Sequence, residues 1–224
     1  MTDIEVKYPG INPVFFIGAS LGGVDALAYL AEQLPEDFPA ALFFLLHRTR
    51  TGKHLKNTML DILTSRSKLR VVIPKHGDTV KAGYIYLPAD GLHLGVDDNR
   101  ITLTTEPDNE IWRPSIDVLF KSGARDYKDR CVSVLLTGKL DDGVDGLVET
   151  TYQGGITVAQ SPNDAYDPHL PLNALMNDHP VYVLPLSEMP ELFCELAQHQ
   201  FTDNQKKITA KAAVTAKFIR EAIQ

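Results

Sequence analysis

Short apolar runs alternate along this chain with longer stretches of helical period, and this alternation constrains the fold more than any other feature. Ala40–Leu46 is apolar throughout, as a strand covered on both faces must be. Between it and an earlier run, Val14–Ile17, lies a stretch in which Ala26, Leu27, Leu30 and Ala31 return to one face of a helix that Pro35 closes. Strand, crossover helix and strand make a βαβ unit with parallel strands. The rhythm continues with a helix over Lys53–Ser65, striped by Leu55, Met59, Leu60 and Leu63. After Pro114 come a helix over Ser115–Tyr127, a strand over Cys131–Leu136, a turn at Thr137–Gly143 and a helix to about Tyr152. Strand Ile156–Ala159, a short helix near Leu172–Met176, strand Val181–Leu184 and helix Glu188–His199 complete the series. The expected fold class is α/β: a doubly wound, mainly parallel sheet in a three-layer αβα arrangement. Arg70–Thr105 breaks the rhythm, with short runs at Val71–Ile73, Tyr84–Leu87, Leu92–Val96 and Ile101–Leu103 separated by turn residues, and reads as a small antiparallel hairpin at one edge.

A chain of 224 residues suits one such core, placed at 1–200, followed by a basic helical tail at 201–224 that carries Lys206, Lys207, Lys211, Lys217 and Arg220. The net charge of -7 offers no broad basic face to displace counterions from phosphates, so nucleic acid is not an expected partner. The two cysteines, Cys131 and Cys194, lack metal or redox spacing and are expected to be buried, reduced thiols of a cytoplasmic protein. No stretch approaches the roughly 20 apolar residues that span a bilayer, and the first residues lack the pattern of a secretory signal.

Gly18-Ala19-Ser20-Leu21-Gly22 has the form G-x-S-x-G and stands directly between a strand and a helix. A serine there is pushed out at the strand's carboxyl end. The small neighbours admit a substrate, and the helix amino terminus favours the negative charge of acyl transfer. A dinucleotide-binding turn would share the layout. Against it, Ser20 occupies the place of the fingerprint's second glycine, and the next strand ends in His47 where an acidic residue would hold a ribose hydroxyl.

In an open parallel sheet, functional groups gather at the carboxyl ends of strands, so His47 is expected on the same rim as Ser20. Imidazole titrates near neutrality and can take the serine proton and return it to the leaving group. A third group is expected from the turn after Cys131–Leu136, where Asp141 and Asp142 are equally placed to orient His47 or simply to cap the next helix. The remaining histidines show no ligand-like pairing, so neither metal nor cofactor is expected.

Taken together, these motifs resemble the catalytic domain of the chemotaxis-specific protein-glutamate methylesterases, usually called CheB, over nearly all of Val14–Leu186. The nucleophile motif Ile17–Gly23, the histidine strand ending Leu46-His47, the mid-chain hairpin at Tyr84–Asp90 and Leu92–Leu94, the segment Arg113–Phe120 and the aspartate turn Leu136–Gly143 occur in the family's order. The resemblance implies Ser20 as nucleophile, His47 as general base and Asp142 as the orienting carboxylate. It also implies backbone oxyanion donors, with Leu21 and Lys139 beside them. The implied activity is hydrolysis of γ-glutamyl methyl esters, with deamidation of glutamines through the same acyl-enzyme. The implied partners are methylated chemoreceptor cytoplasmic helices or another methylated signalling protein, without integral membrane association.

Departures from the family pattern bear on substrate and rate. Leu21 replaces a small or hydroxylated residue, Lys139-Leu140 replaces Met-Gly, and His169-Leu170-Pro171 replaces Gly-Met-Pro. Leu140 restricts a turn that elsewhere benefits from glycine, and Lys139 brings charge toward the cleft. The family typically carries an amino-terminal receiver domain, for which this sequence shows no pattern, so control by phosphorylation of this chain is not expected. The alternative expectation is a catalytically silent scaffold domain of the same fold. The basic segment Arg48–His54 would attract an acidic substrate surface.

Overall fold

The computed structural model describes residues 13–47, 58–107 and 112–198. Nine strands are described: β1 (Val14–Ala19), β2 (Ala41–Leu46), β3 (Arg70–Val72), β4 (Tyr84–Tyr86), β5 (His93–Asp97), β6 (Arg100–Thr104), β7 (Cys131–Leu135), β8 (Ile156–Gln160) and β9 (Tyr182–Leu184). The helices are α1 (Gly23–Gln33), α2 (Thr58–Arg66), α3 (Ile116–Tyr127), α4 (Val144–Tyr152), α5 (His169–Asn177) and α6 (Met189–Gln198). Seven strands form one parallel sheet in the order β3-β4-β2-β1-β7-β8-β9. The doubly wound, three-layer α/β class is what the sequence pattern calls for.

Side chains alternate across the central strands, which separates two apolar layers. Phe15, Ile17, Leu42 and Phe44 point to one face, where α1, α2 and α6 cover them with Leu27, Leu30, Leu63 and Phe193. Phe16, Phe43 and Leu45 point to the other, under α3, α4 and α5, with Ile116, Phe120, Leu147 and Leu170. Aromatic contacts continue this order: Phe15 lies 5.0 Å from Phe193, and Phe16 stacks on Phe43 at 4.9 Å between ring centroids. The chain leaves β2 for one edge and later returns to lay β7 on the opposite side of β1. The order of strands therefore reverses at β1, which is where such sheets open a crevice at their carboxyl ends.

The expected small antiparallel hairpin is present as β5 and β6, a separate two-stranded sheet whose Leu94, Val96 and Ile101 join the layer under α3, but it does not extend over all of residues 70–105. The runs at Val71 and Tyr84 instead join the main sheet in parallel, with β4 seated between β2 and β3. The physical reason is burial: Ile85 and Tyr86 serve opposite faces, which an edge hairpin would leave half in water. Other boundaries shift by a few residues, most for α5, which begins at His169 and not near Leu172. Cys131 is buried and its thiol is pushed up to about 12 by that burial, whereas Cys194 is only partly covered. Arg48–His54, the first turn expected of α2 and the basic tail lie outside the described residues.

Candidate active site

Ser20 follows the last residue of β1 and His47 follows the last residue of β2. The register pairs Ala19 with Leu46, and the His47 amide donates to the Ala19 carbonyl at 3.0 Å. The two candidate residues therefore sit side by side on adjacent strands, about 5 Å apart in backbone terms. On its other flank the Ser20 amide donates to the Thr137 carbonyl at 3.0 Å, which ties the serine to the end of β7. Gly22 caps α1 at φ 82°, a left-handed conformation glycine adopts without strain, and its bare Cα faces the Tyr166 side chain. Gly138 approaches as closely: a Cβ there would stand 2.7 Å from the Ser20 Cβ and 2.8 Å from Leu170.

The choice between the two aspartates, open from spacing alone, is made by position. Asp141 is exposed, whereas the Asp142 carboxylate is buried and meets the imidazole of His47 through Nε2 and Oδ2. An ionised carboxylate only accepts, so His47 Nε2–H is the donor and Nδ1 is the nitrogen left for a serine proton. Asp142 also accepts from the Ile116 amide at 2.7 Å, the Asp117 amide at 3.0 Å and the Ser115 hydroxyl at 2.8 Å. Burial by itself raises its pKa, but the bond and charge of His47 together with the backbone amides at Asp117 and Ile116 outweigh it, and the carboxyl ends below its ordinary range. These amides are the first turn of α3, whose dipole favours the same charge.

Arg113–Phe120 is thereby explained: its Ser115 caps α3, and its first amides form the cradle of Asp142. His93 supports the arrangement from β5, its Nδ1 accepting from the Ser115 amide at 3.2 Å. Ser115, His93 and Asp142 are thus also linked by hydrogen bonds. Both Ser115 and His93 are fully buried, however, and the Ser115 hydroxyl donates to the carboxylate and not to the histidine. Trp112 was not singled out by sequence reasoning: its ring stacks on His47 at 4.8 Å and 16°, fixing the plane of the imidazole. Being the only tryptophan in the chain, and lying next to the Arg113–Phe120 motif, was the available signal.

The aspartate turn is braced from β8. Gln160 Oε1 accepts from the Thr137 amide at 2.9 Å, and the Thr137 hydroxyl donates to the Leu21 carbonyl at 2.9 Å. The Gly138 amide donates to the Asp167 carbonyl at 3.1 Å. Leu140, as its place in a glycine-favouring turn suggests, takes a left-handed conformation at φ 67° with its side chain largely in water. Among the described residues, no three His, Cys, Asp or Glu side chains are grouped to hold a metal ion, and no helix is long and apolar enough to cross a membrane.

A sequence profile described as CheB methylesterase matches residues 15–193. The protein-glutamate methylesterase/protein-glutamine glutaminase 3 of Pseudomonas syringae pv. tomato is 36% identical over 171 residues, 76% of this chain and 50% of its own. The protein-glutamate methylesterase FrzG of Myxococcus xanthus is 32% identical over 83% of this chain and 55% of its own. The chain spans about half the length of the curated relatives it matches. The crystal structure of the Thermotoga maritima CheB methylesterase catalytic domain superposes with a TM-score of 0.76 at 27% identity, covering 83% of this chain and 98% of that domain.

Proposed function

We propose, from the premise that this chain belongs to the CheB methylesterase family, that it hydrolyses γ-glutamyl methyl esters on chemoreceptors or another methylated signalling protein. Ser20 is the nucleophile of this reading, His47 the base and Asp142 the carboxylate that holds the base in one tautomer. One observation carries it: the imidazole is bonded to a buried carboxylate through Nε2 while strand register sets its residue beside Ser20.

The reaction then follows from the groups present. The Ser20 hydroxyl attacks the ester carbonyl as its proton passes to His47 Nδ1, and Asp142 stabilises the imidazolium. Charge develops on the carbonyl oxygen. The amides of Ser20 and Gly138 are committed to protein carbonyls, and we assign the oxyanion to the amides of Leu21 and Lys139. Collapse expels methoxide, which takes the proton from His47 and leaves as methanol. Water then attacks the acyl-serine with the same proton relay, and glutamate is released. With a glutamine side chain the first leaving group is ammonia, so deamidation uses the same acyl-enzyme.

Purified protein is expected to react with a fluorophosphonate at Ser20 and to release methanol from a γ-glutamyl methyl ester peptide. Ser20→Ala abolishes both, and His47→Ala abolishes methanol release. Labelling at Ser115 in place of Ser20, or no labelling with no methanol, overturns the assignment; the second result favours a silent scaffold.

A further inference from the structure

We infer that Lys139, held at the mouth of the site by Asp167, makes this enzyme prefer esters that have a carboxylate as neighbour. The inference rests on the proposed methylesterase activity and deepens it. Asp167 is anchored through its backbone: its amide donates to the Thr137 hydroxyl at 2.8 Å, and its carbonyl accepts from the Gly138 amide at 3.1 Å. Its side chain is 10% exposed and shared by two bases. Oδ1 accepts from the His169 ring Nδ1 at 2.7 Å and from the His169 amide at 3.2 Å, and Oδ2 stands 4.0 Å from Lys139 Nζ. The hydrogen bond from His169, then burial opposing it, then further contacts including the Lys139 charge leave the Asp167 carboxyl below its ordinary range, so it is ionised at neutral pH.

One inward carboxylate thus faces two basic side chains that open to water, Lys139 at 62% and His169 at 70% exposure. With Oδ1 occupied by His169, Lys139 is held loosely and keeps donors for a ligand. The other acid of this loop, Asp164, is engaged by the Gln160 amide group and the Leu186 backbone. The distance to the reacting serine is short. A Cβ on Gly138 would nearly touch the Ser20 Cβ, which puts the Lys139 Cα within about 8 Å of that atom. A lysine so placed reaches the residues flanking a bound ester. For a ligand carboxylate about 8 Å from the ammonium, at an effective dielectric between those of protein surface and water, the attraction less the repulsion from Asp167 behind it is worth roughly two-fold in affinity. Salt weakens it.

The test compares two synthetic peptides with the same γ-glutamyl methyl ester, one flanked by glutamates and one by glutamines. Wild type is expected to show roughly two-fold higher kcat/KM on the glutamate-flanked peptide at low salt, with the ratio carried by KM. Lys139→Met brings the ratio near one, Lys139→Arg restores it, and 0.5 M salt compresses it. Equal rates in wild type, or a ratio unchanged in Lys139→Met, overturn the inference while leaving the esterase reading intact. Should neither peptide be hydrolysed, that reading fails, and binding of the two demethylated peptides by fluorescence anisotropy still decides the role of Lys139: a preference for the acidic peptide that Lys139→Met removes supports it, and its absence refutes it.

Discussion

Replacing Asp142 by asparagine tests the centre of the proposed mechanism. The carboxylate accepts four hydrogen bonds, with the Ile116 amide and His47 on Oδ2 and the Ser115 hydroxyl and the Asp117 amide on Oδ1. Asparagine offers one oxygen and one NH2, so the amide must choose a side. Turning the NH2 toward Oδ1 is cheaper, because the Ser115 hydroxyl can rotate to accept it; only the Asp117 amide then loses its partner. One lost bond at a buried site, together with lost charge-assisted bonding, costs about 2 kcal/mol, which for a domain of this size lowers Tm by roughly 4–8 °C. In this orientation His47 keeps its tautomer but loses the counter-charge for imidazolium, and kcat/KM falls on the order of 10²-fold. The opposite orientation presents NH2 to His47 and carries the loss toward about 10⁴-fold. Acid stability changes as well. The folded pKa of Asp142 is depressed, so its contribution is present above the ordinary carboxylate value of 3.8 and is lost as pH falls through the lower folded value. The variant should lack that acid limb. Ester hydrolysis and thermal melts from pH 2 to 7 supply the measurements. A loss below ten-fold in Asp142→Asn, or an equal loss in Asp141→Asn, refutes the reasoning.

Asp117, in the first turn of α3 with its carboxylate accepting from the Gly146 amide of α4, is pushed up to about 6 by burial first and by the Asp142 charge next. The folded state therefore holds this proton more tightly than the unfolded chain, and stability falls by about 3 kcal/mol as pH rises from about 4 to about 6. Asp117→Asn should flatten that slope in melts, and an unchanged slope rejects the assignment. Since Trp112 is the only tryptophan and stacks on His47, its fluorescence should be quenched as the imidazole gains a proton. A pH titration retaining its inflection in His47→Ala would show another group responsible. Leu140→Gly relieves about 1–2 kcal/mol of left-handed strain against an entropic loss of roughly 0.5–1 kcal/mol; urea midpoints should rise slightly, and a fall beyond 1 kcal/mol counts against strain in this turn.

Much of this architecture was legible because periodicity reports burial directly. The two-sided strand Ala41–Leu46 and the stripe Ala26, Leu27, Leu30 and Ala31 each state which face meets the core, and all of these except Leu46 are buried. Strands β3 and β4 were misread because three-residue segments carry too little period to reveal a partner. Their direction was settled by burial against β2, a contact distant in sequence. Trp112 escaped for a similar reason: an aromatic in a loop has no pattern of its own until a ring is found beneath it.

What the sequence by itself determined is the chemical inventory and its approximate height: a serine in a strand-to-helix turn, a histidine ending the next strand and an aspartate pair after a later one. Local steric and hydrophobic rules suffice for that, because each motif is decided within a few neighbours. Spacing and family resemblance together named Asp142, but only the tertiary structure showed its carboxylate buried against His47, placed α3 so that its first amides hold that carboxylate, and brought Lys139 and His169 to one Asp167. Those outcomes depend on groups separated by tens of residues meeting in a buried setting, where desolvation makes an unsatisfied charge costly and a well-donated one stable.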